Sequence, residues 1–175
     1  MKRATYLMCC LAIGSAAMMF THTAKAQATD DDRKFLTEAS QGSYDEIQLG
    51  KLAEQKATNP DVKAFGQRMV TDHTKLNEKM KPYADEWGIA APTALSPDAQ
   101  KEYDKLNGMS GADFDKEYMS NMVSDHSKDL DAFTKEVKDT KDVKFRTTVE
   151  QGKSVVAAHK NMAYEIGRAS CRERV

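Results

Sequence analysis

The chain has 175 residues, 40% of them hydrophobic and 30% charged, with a formal net charge of −1. That length suits one domain with its own core, and no basic excess is present to hold nucleic acid or an anionic membrane. Its cysteines, Cys9, Cys10 and Cys171, all fall near the ends, so residues 27–165 have neither a disulfide framework nor a thiolate metal site.

The chain begins with a basic pair, Lys2 and Arg3, an apolar run from Ala4 to Phe20, and a small-x-small site at Ala24-Lys25-Ala26. This order marks a cleavable secretory signal over 1–26. The apolar run falls short of the roughly 20 residues that span a bilayer and has no stop-transfer flank. The mature protein is therefore expected to start at Gln27 and to be periplasmic or secreted. At the other end, Glu165 to Val175 read EIGRASCRERV, which back-translates to a string resembling a common short-read sequencing adapter. Residues 166–175 are accordingly expected to be read-through and not native chain. The remaining domain, 27–165, has a net charge of −6.

No stretch alternates apolar and polar residues long enough for a strand, whereas helical periodicity recurs throughout. The first long helix is expected from Asp31 to Lys56, with Asp30, Asp31 and Asp32 favouring its positive end. The second begins at Asn59-Pro60-Asp61, a cap followed by proline at the first helical position, and stops at Trp87-Gly88. A long connection, Ile89 to Met109, holds a short helix announced by Ser96-Pro97-Asp98 and closed near Gly108. The third long helix opens with the capping-box variant Ser110-x-x-Asp113 and reaches about Lys138; the fourth follows Thr140 and ends at about Glu165.

Two short loops make two antiparallel hairpins. The long connection can travel back along the bundle and leave the second and third long helices parallel, as in ferritin-like folds; an up-down-up-down bundle is the competing topology. The expected fold is thus all-α, a ferritin-like antiparallel four-helix bundle with a short extra helix between its second and third members.

Each long helix carries one inward stripe at three- and four-residue steps. The first has Leu36, Ala39, Ser43, Glu46, Gly50 and Ala53. The second has Val62, Phe65, Met69, His73, Leu76, Met80, Tyr83 and Trp87. The third and fourth present Met119, Met122, His126, Leu130, Phe133 and Val137, and Phe145, Val149, Gly152, Val156, His159 and Met162. His73, His126 and His159 thus point to the core, and so does Glu46. Ionisable groups there must be hydrogen-bonded, paired or metal-bound. Glu46 lies 13 residues before Asn59 and His73 lies 14 after it, which sets them at one depth; His126, 16 past Ser110, joins them if the long connection returns to the same end. The same reckoning puts His159 a turn or more away.

An internal repeat frames two of the histidines: Met69-Val70-Thr71-Asp72-His73-Thr74-Lys75 recurs as Met122-Val123-Ser124-Asp125-His126-Ser127-Lys128. Together with Phe35-Leu36-Thr37-Glu38-Ala39-Ser40, Glu46-Ile47-x-Leu49-Gly50-x-Leu52-Ala53 and Asn59-Pro60-x-Val62-Lys63-x-Phe65, these motifs closely resemble the bacterial family called domain of unknown function 4142. The resemblance covers nearly all of 33–164. It implies a ferritin-like four-helix fold and an exported location, and brings no established activity.

Three readings of the polar core positions stand side by side. The one placed first is structural, with Glu46 and a histidine hydrogen-bonded across the first hairpin to fix its register in an envelope module that acts through its surface. The second is a mononuclear Fe, Mn or Zn site using Glu46, His73 and His126, completed by His159 or Glu150. No helix offers Glu-x-x-His, since Val70, Val123 and Val156 stand three before the histidines, and this argues against a di-iron oxidase or iron store. The third adds sulfur: Met69 and Met122 each precede a histidine by four residues and Met162 follows His159 by three, a soft set that suits copper, although methionine is also an ordinary core filler. Asp72 and Asp125, about a hundred degrees round from the histidines, could orient an imidazole only from a neighbouring helix. With no nucleophile elbow or phosphate loop, no catalytic residues are assigned, and the default is a non-enzyme whose only cofactor would be a metal ion.

Overall fold

A computed structural model of the chain describes residues 28–172. The expected signal segment, 1–26, lies outside the described residues. Five helices and no strand are present among them: α1 (Asp30–Lys56), α2 (Pro60–Trp87), α3 (Pro97–Asn107), α4 (Gly111–Asp139) and α5 (Val143–Arg172). None is long and apolar enough to cross a membrane.

The helix starts follow local chemistry. Thr29 and Asp32 form a reciprocal capping box on α1, with Thr29 N donating to Asp32 Oδ2 at 2.7 Å and Asp32 N to Thr29 Oγ1 at 3.0 Å. On α2, Asn59 Oδ1 accepts from Asp61 N at 2.8 Å, and the helix ends at Gly88, whose φ of 70° favours glycine. The expected capping box at Ser110 is not made, because Ser110 forms no side-chain cap bond. Gly111, with φ of 61°, turns the chain into α4 through its backbone instead. The start of α5 shifts from Thr140 to Val143, since Asp142 Oδ1 takes up Lys144 N and Phe145 N at 2.9 and 3.0 Å. That helix also runs past Glu165, its expected end, to Arg172.

Polar contacts at the helix ends define the topology. Asp115, at the start of α4, accepts from Thr58 N, Thr58 Oγ1 and Asn59 N at 3.1, 2.6 and 2.9 Å, so α4 starts beside the loop joining α1 to α2. At the far end Tyr83 of α2 meets Thr148 of α5 at 3.3 Å. The chain therefore folds as two antiparallel hairpins, α1–α2 and α4–α5, with α2 and α4 running in the same direction. The connection does travel back, and the up-down-up-down alternative is overturned. Helix α3 lies along the return path, held by Ser96 N to Asp45 Oδ1 at 3.0 Å and by Lys105 to Glu117 at 2.6 Å.

The inward stripes bury as expected, with Ala39, Tyr83, Leu130, Val137 and Met162 only partly covered. A fully buried Leu or Phe side chain contributes roughly 1.5–3 kcal/mol. Gly50 and Gly66 let α1 and α2 approach closely: a Cβ on Gly50 would lie 2.9 Å from the Gly66 carbonyl oxygen, and one on Gly66 2.8 Å from that of Gly50. The apolar interior forms two separate clusters. One gathers Leu49, Val62, Phe65, Met69, Phe114, Tyr118 and Met122; the other gathers Leu36, Leu76, Trp87, Phe133, Phe145 and Val156. On α2, α4 and α5 alike, the histidine stands in sequence between members of the two clusters.

Candidate metal centre

His73 of α2, His126 of α4 and His159 of α5 come together at this waist. They are 2%, 0% and 0% exposed. Ring centroids are 5.8 Å apart for His73–His126, 5.3 Å for His73–His159 and 5.4 Å for His126–His159. One ligand nitrogen from each ring lies within 4.8 Å of the other two. His159, expected a turn or more off this level, is a full member. Residues 140–142 make the turn into α5 without advancing a helix, so depth counted from Thr140 overshoots.

Each ring has one nitrogen engaged and one without a partner. His126 Nδ1 is 2.9 Å from the Met122 carbonyl oxygen, which can only accept, so Nδ1 carries the proton and Nε2 keeps its lone pair. Ser43 Oγ donates to the His73 carbonyl at 3.2 Å and has His73 Nδ1 at the same distance. Its single proton being used, Oγ accepts from Nδ1 and leaves His73 Nε2 bare. His159 Nε2 is 3.1 Å from Asp72 Oδ2, a carboxylate that Arg68 Nε also approaches at 3.2 Å, and this leaves His159 Nδ1 bare. His73 Nε2, His126 Nε2 and His159 Nδ1 are all buried without a hydrogen-bond partner.

Electrostatics keep these nitrogens unprotonated. Burial, followed by the neighbouring rings of His126 and His159, drives the His73 pKa well below the usual histidine value. Burial likewise pulls His126 down to about 4. For His159, burial outweighs the opposing pull of Asp72 and leaves the pKa lowered. Three neutral imidazoles, each with its tautomer set by a partner on its outer side, are the form in which histidine binds metal.

Glu46 stands apart from the triad. Its Oε1 is 3.8 Å from His126 Nδ1, the nitrogen that already serves Met122, and its Oε2 has no partner. Burial, then the charges of Asp129, Asp125, Glu102 and Asp45, push its carboxyl pKa well above the ordinary range. The shift weakens any ion pair with the buried His126 ring. Met69 and Met122 are packed in the first apolar cluster, with Met162 against it. Glu150 is exposed and does not complete the group.

Asp72 acts on a neighbouring helix, as its angular position required. Asp125 does not share that role: its Oδ1 pairs with Lys128 at 2.8 Å. One participant has no sequence signal, the Met122 carbonyl, which accepts from His126 Nδ1. Ser43 was on the inward stripe, and a small hydroxyl among apolar neighbours was its signal.

These features define an all-helical protein with a buried cluster of three imidazoles contributed by three helices. The chain belongs to the family described as Domain of unknown function (DUF4142), which matches residues 17–166. No curated protein and no solved structure matches it.

Proposed function

We propose that this protein binds one divalent transition-metal ion through His73, His126 and His159, in an exported, ferritin-like bundle of the cell envelope. The observation that carries this reading is the set of three buried nitrogens with free lone pairs. A buried polar atom left unsatisfied costs about 1–3 kcal/mol, so three of them at one level form an interior that a Lewis acid would stabilise. A purely structural cluster would turn those nitrogens toward one another through protons or toward hydroxyls.

Neutral imidazole suits Zn, Cu, Fe and Ni, and three protein ligands leave a fourth position open, as in metal sites that also take water or a small molecule. Tetrahedral coordination at 2.0–2.1 Å sets ligand nitrogens about 3.4 Å apart, so nitrogens now within 4.8 Å would have to draw closer on binding. Glu46, whose Oε1 lies 3.8 Å from His126 Nδ1, is a single carboxylate beside the cluster, where a two-iron centre uses glutamates from several helices. Export is supported by the basic start, apolar run and Ala24-x-Ala26 site. The ferritin-like assignment is supported by the parallel course of α2 and α4 joined by a long return.

The test is titration of metal-free protein with Co²⁺, Zn²⁺, Fe²⁺, Mn²⁺ and Cu⁺, read by visible absorption for cobalt and by elemental analysis after gel filtration for the rest. One ion per chain, lost in His73→Ala and His126→Ala, is expected. Substoichiometric metal throughout would sink the reading. It would leave the structural one, supported by Ser43, whose hydroxyl engages both the ring and the carbonyl of His73 and ties α1 to α2.

A further inference from the structure

Two openings approach the histidine cluster from opposite sides, and they differ in charge. Between α1, α3 and α4 lies a pocket of about 260 Å³ lined by Asp45, Glu46, Asp98, Glu102, Asp125 and Asp129 against a single cation, Lys128. Behind it sits a cavity of about 20 Å³ lined by Ser43, His73 and Phe133. Gly42 and Asp129 belong to the walls of both. The inner cavity is about one water in size, and His73, whose Nε2 has no partner, is part of its wall. A Cβ built on Gly42 would have nothing within 4 Å, so there is free space beside a residue that both spaces share.

The opposite opening is lined by Asp61, Arg68, Thr71 and Asp72, an excess of one carboxylate where the first has five. There Arg68 Nε sits on the carboxylate that serves His159, and its charge offsets one of the two acids. A like-charged group at a few ångströms raises the barrier to a metal ion, whereas a carboxylate rim raises the local cation concentration.

We propose that the metal ion enters the histidine cluster through one inlet, from the acidic mouth between α1, α3 and α4, past Gly42 and Asp129, to His73. This inference rests on the metal reading of the cluster. The mouth collects hydrated divalent cations and excludes anions, so the site takes the bare ion and not an anionic metal chelate. Asp129, which lines both spaces, receives the ion as it sheds water.

Rapid-mixing kinetics of Co²⁺ binding to the mature protein, followed by cobalt absorption, test the inlet. Gly42→Phe fills that free space and is expected to slow association and release together by at least about tenfold, with Kd within about twofold, because a plug raises a barrier without touching the bound state. Thr71→Phe, on the opposite side, is expected to change neither rate. Asp98→Lys, at an exposed rim position, is expected to slow association alone, and wild-type association is expected to fall with added salt. Asp98→Lys keeps the test decisive if Gly42→Phe does not fold. Unchanged rates in Gly42→Phe, slowing by Thr71→Phe, or association indifferent to salt and to Asp98→Lys would each overturn the inlet while leaving the site intact. Absence of cobalt binding at equilibrium in the wild type would remove site and inlet together.

Discussion

Asp115 and the histidine cluster are both buried polar groups, and they are satisfied in opposite ways. The Asp115 carboxylate, 4% exposed, accepts three hydrogen bonds from Thr58 and Asn59. It locks the α1–α2 turn onto the start of α4. The histidines engage only their outer nitrogens, with Ser43, Met122 and Asp72, and leave the inner ones bare. A closed network fixes the fold; an open one leaves lone pairs that the proposed metal ion would fill. On that proposal stability and binding map to different residues, and substitutions can separate them.

The sharpest separation is His126→Ala. It is expected to weaken metal binding by about a thousandfold, near 4 kcal/mol, measured by competition with a chromophoric chelator. His126→Leu should do the same while leaving the metal-free protein as stable as wild type or more so, because a bare buried nitrogen is replaced by hydrocarbon. A loss of metal-free stability in His126→Leu would place the cluster with Asp115. Next, Asp115→Ala is expected to lower unfolding free energy by about 3 kcal/mol through the lost charge-assisted bonds, read by urea titration, with metal affinity unchanged.

A smaller effect is expected from Asp72→Ala. It removes the partner that orients His159 and should cost about 10–100-fold in affinity, with little change in the unfolding midpoint. The mildest is a pH dependence from the buried carboxyl pair Asp32 and Glu136 at the other end of the bundle. Burial, then the hydrogen bond to Asp32 and its charge, push Glu136 up to about 8, so its proton is held more tightly folded than unfolded. Its stabilisation is complete below about 4.5 and is lost as pH rises through about 8. Asp32 shifts the other way, its hydrogen bonds from Glu136, Thr140 and Thr29 overcoming burial, and it stabilises above its unfolded value. Urea midpoints should fall between pH 5 and 9, and less steeply in Glu136→Gln. Equal slopes in the two proteins would show that the carboxyl pair carries none of the dependence.

The duplicated motif shows how far the sequence could be followed. Both copies place a histidine on the inward stripe, because the stripe recurs every three or four residues and a histidine in phase with Met69 or Met122 must face the same way. The aspartates are equally in phase with each other, yet Asp72 holds His159 while Asp125 pairs with Lys128 at the acidic mouth. The difference comes from the neighbours: α5 packs beside α2, whereas α3 lies over α4. No repeat within one chain segment encodes which element arrives alongside it.

From the sequence alone came the helices, their boundaries to within a few residues outside α5, the burial of the three histidines and of Glu46, and the antiparallel hairpins. All of these follow from short-range rules: periodicity, caps, and loops too short to do anything else. Only the tertiary structure decided the direction of the long return, brought His159 into register, set Glu46 against His126 Nδ1, and left three imidazole nitrogens without partners. Those outcomes depend on how whole helices slide and turn against one another, and a shift of one residue, about 1.5 Å of rise and 100° of rotation, would have changed each of them.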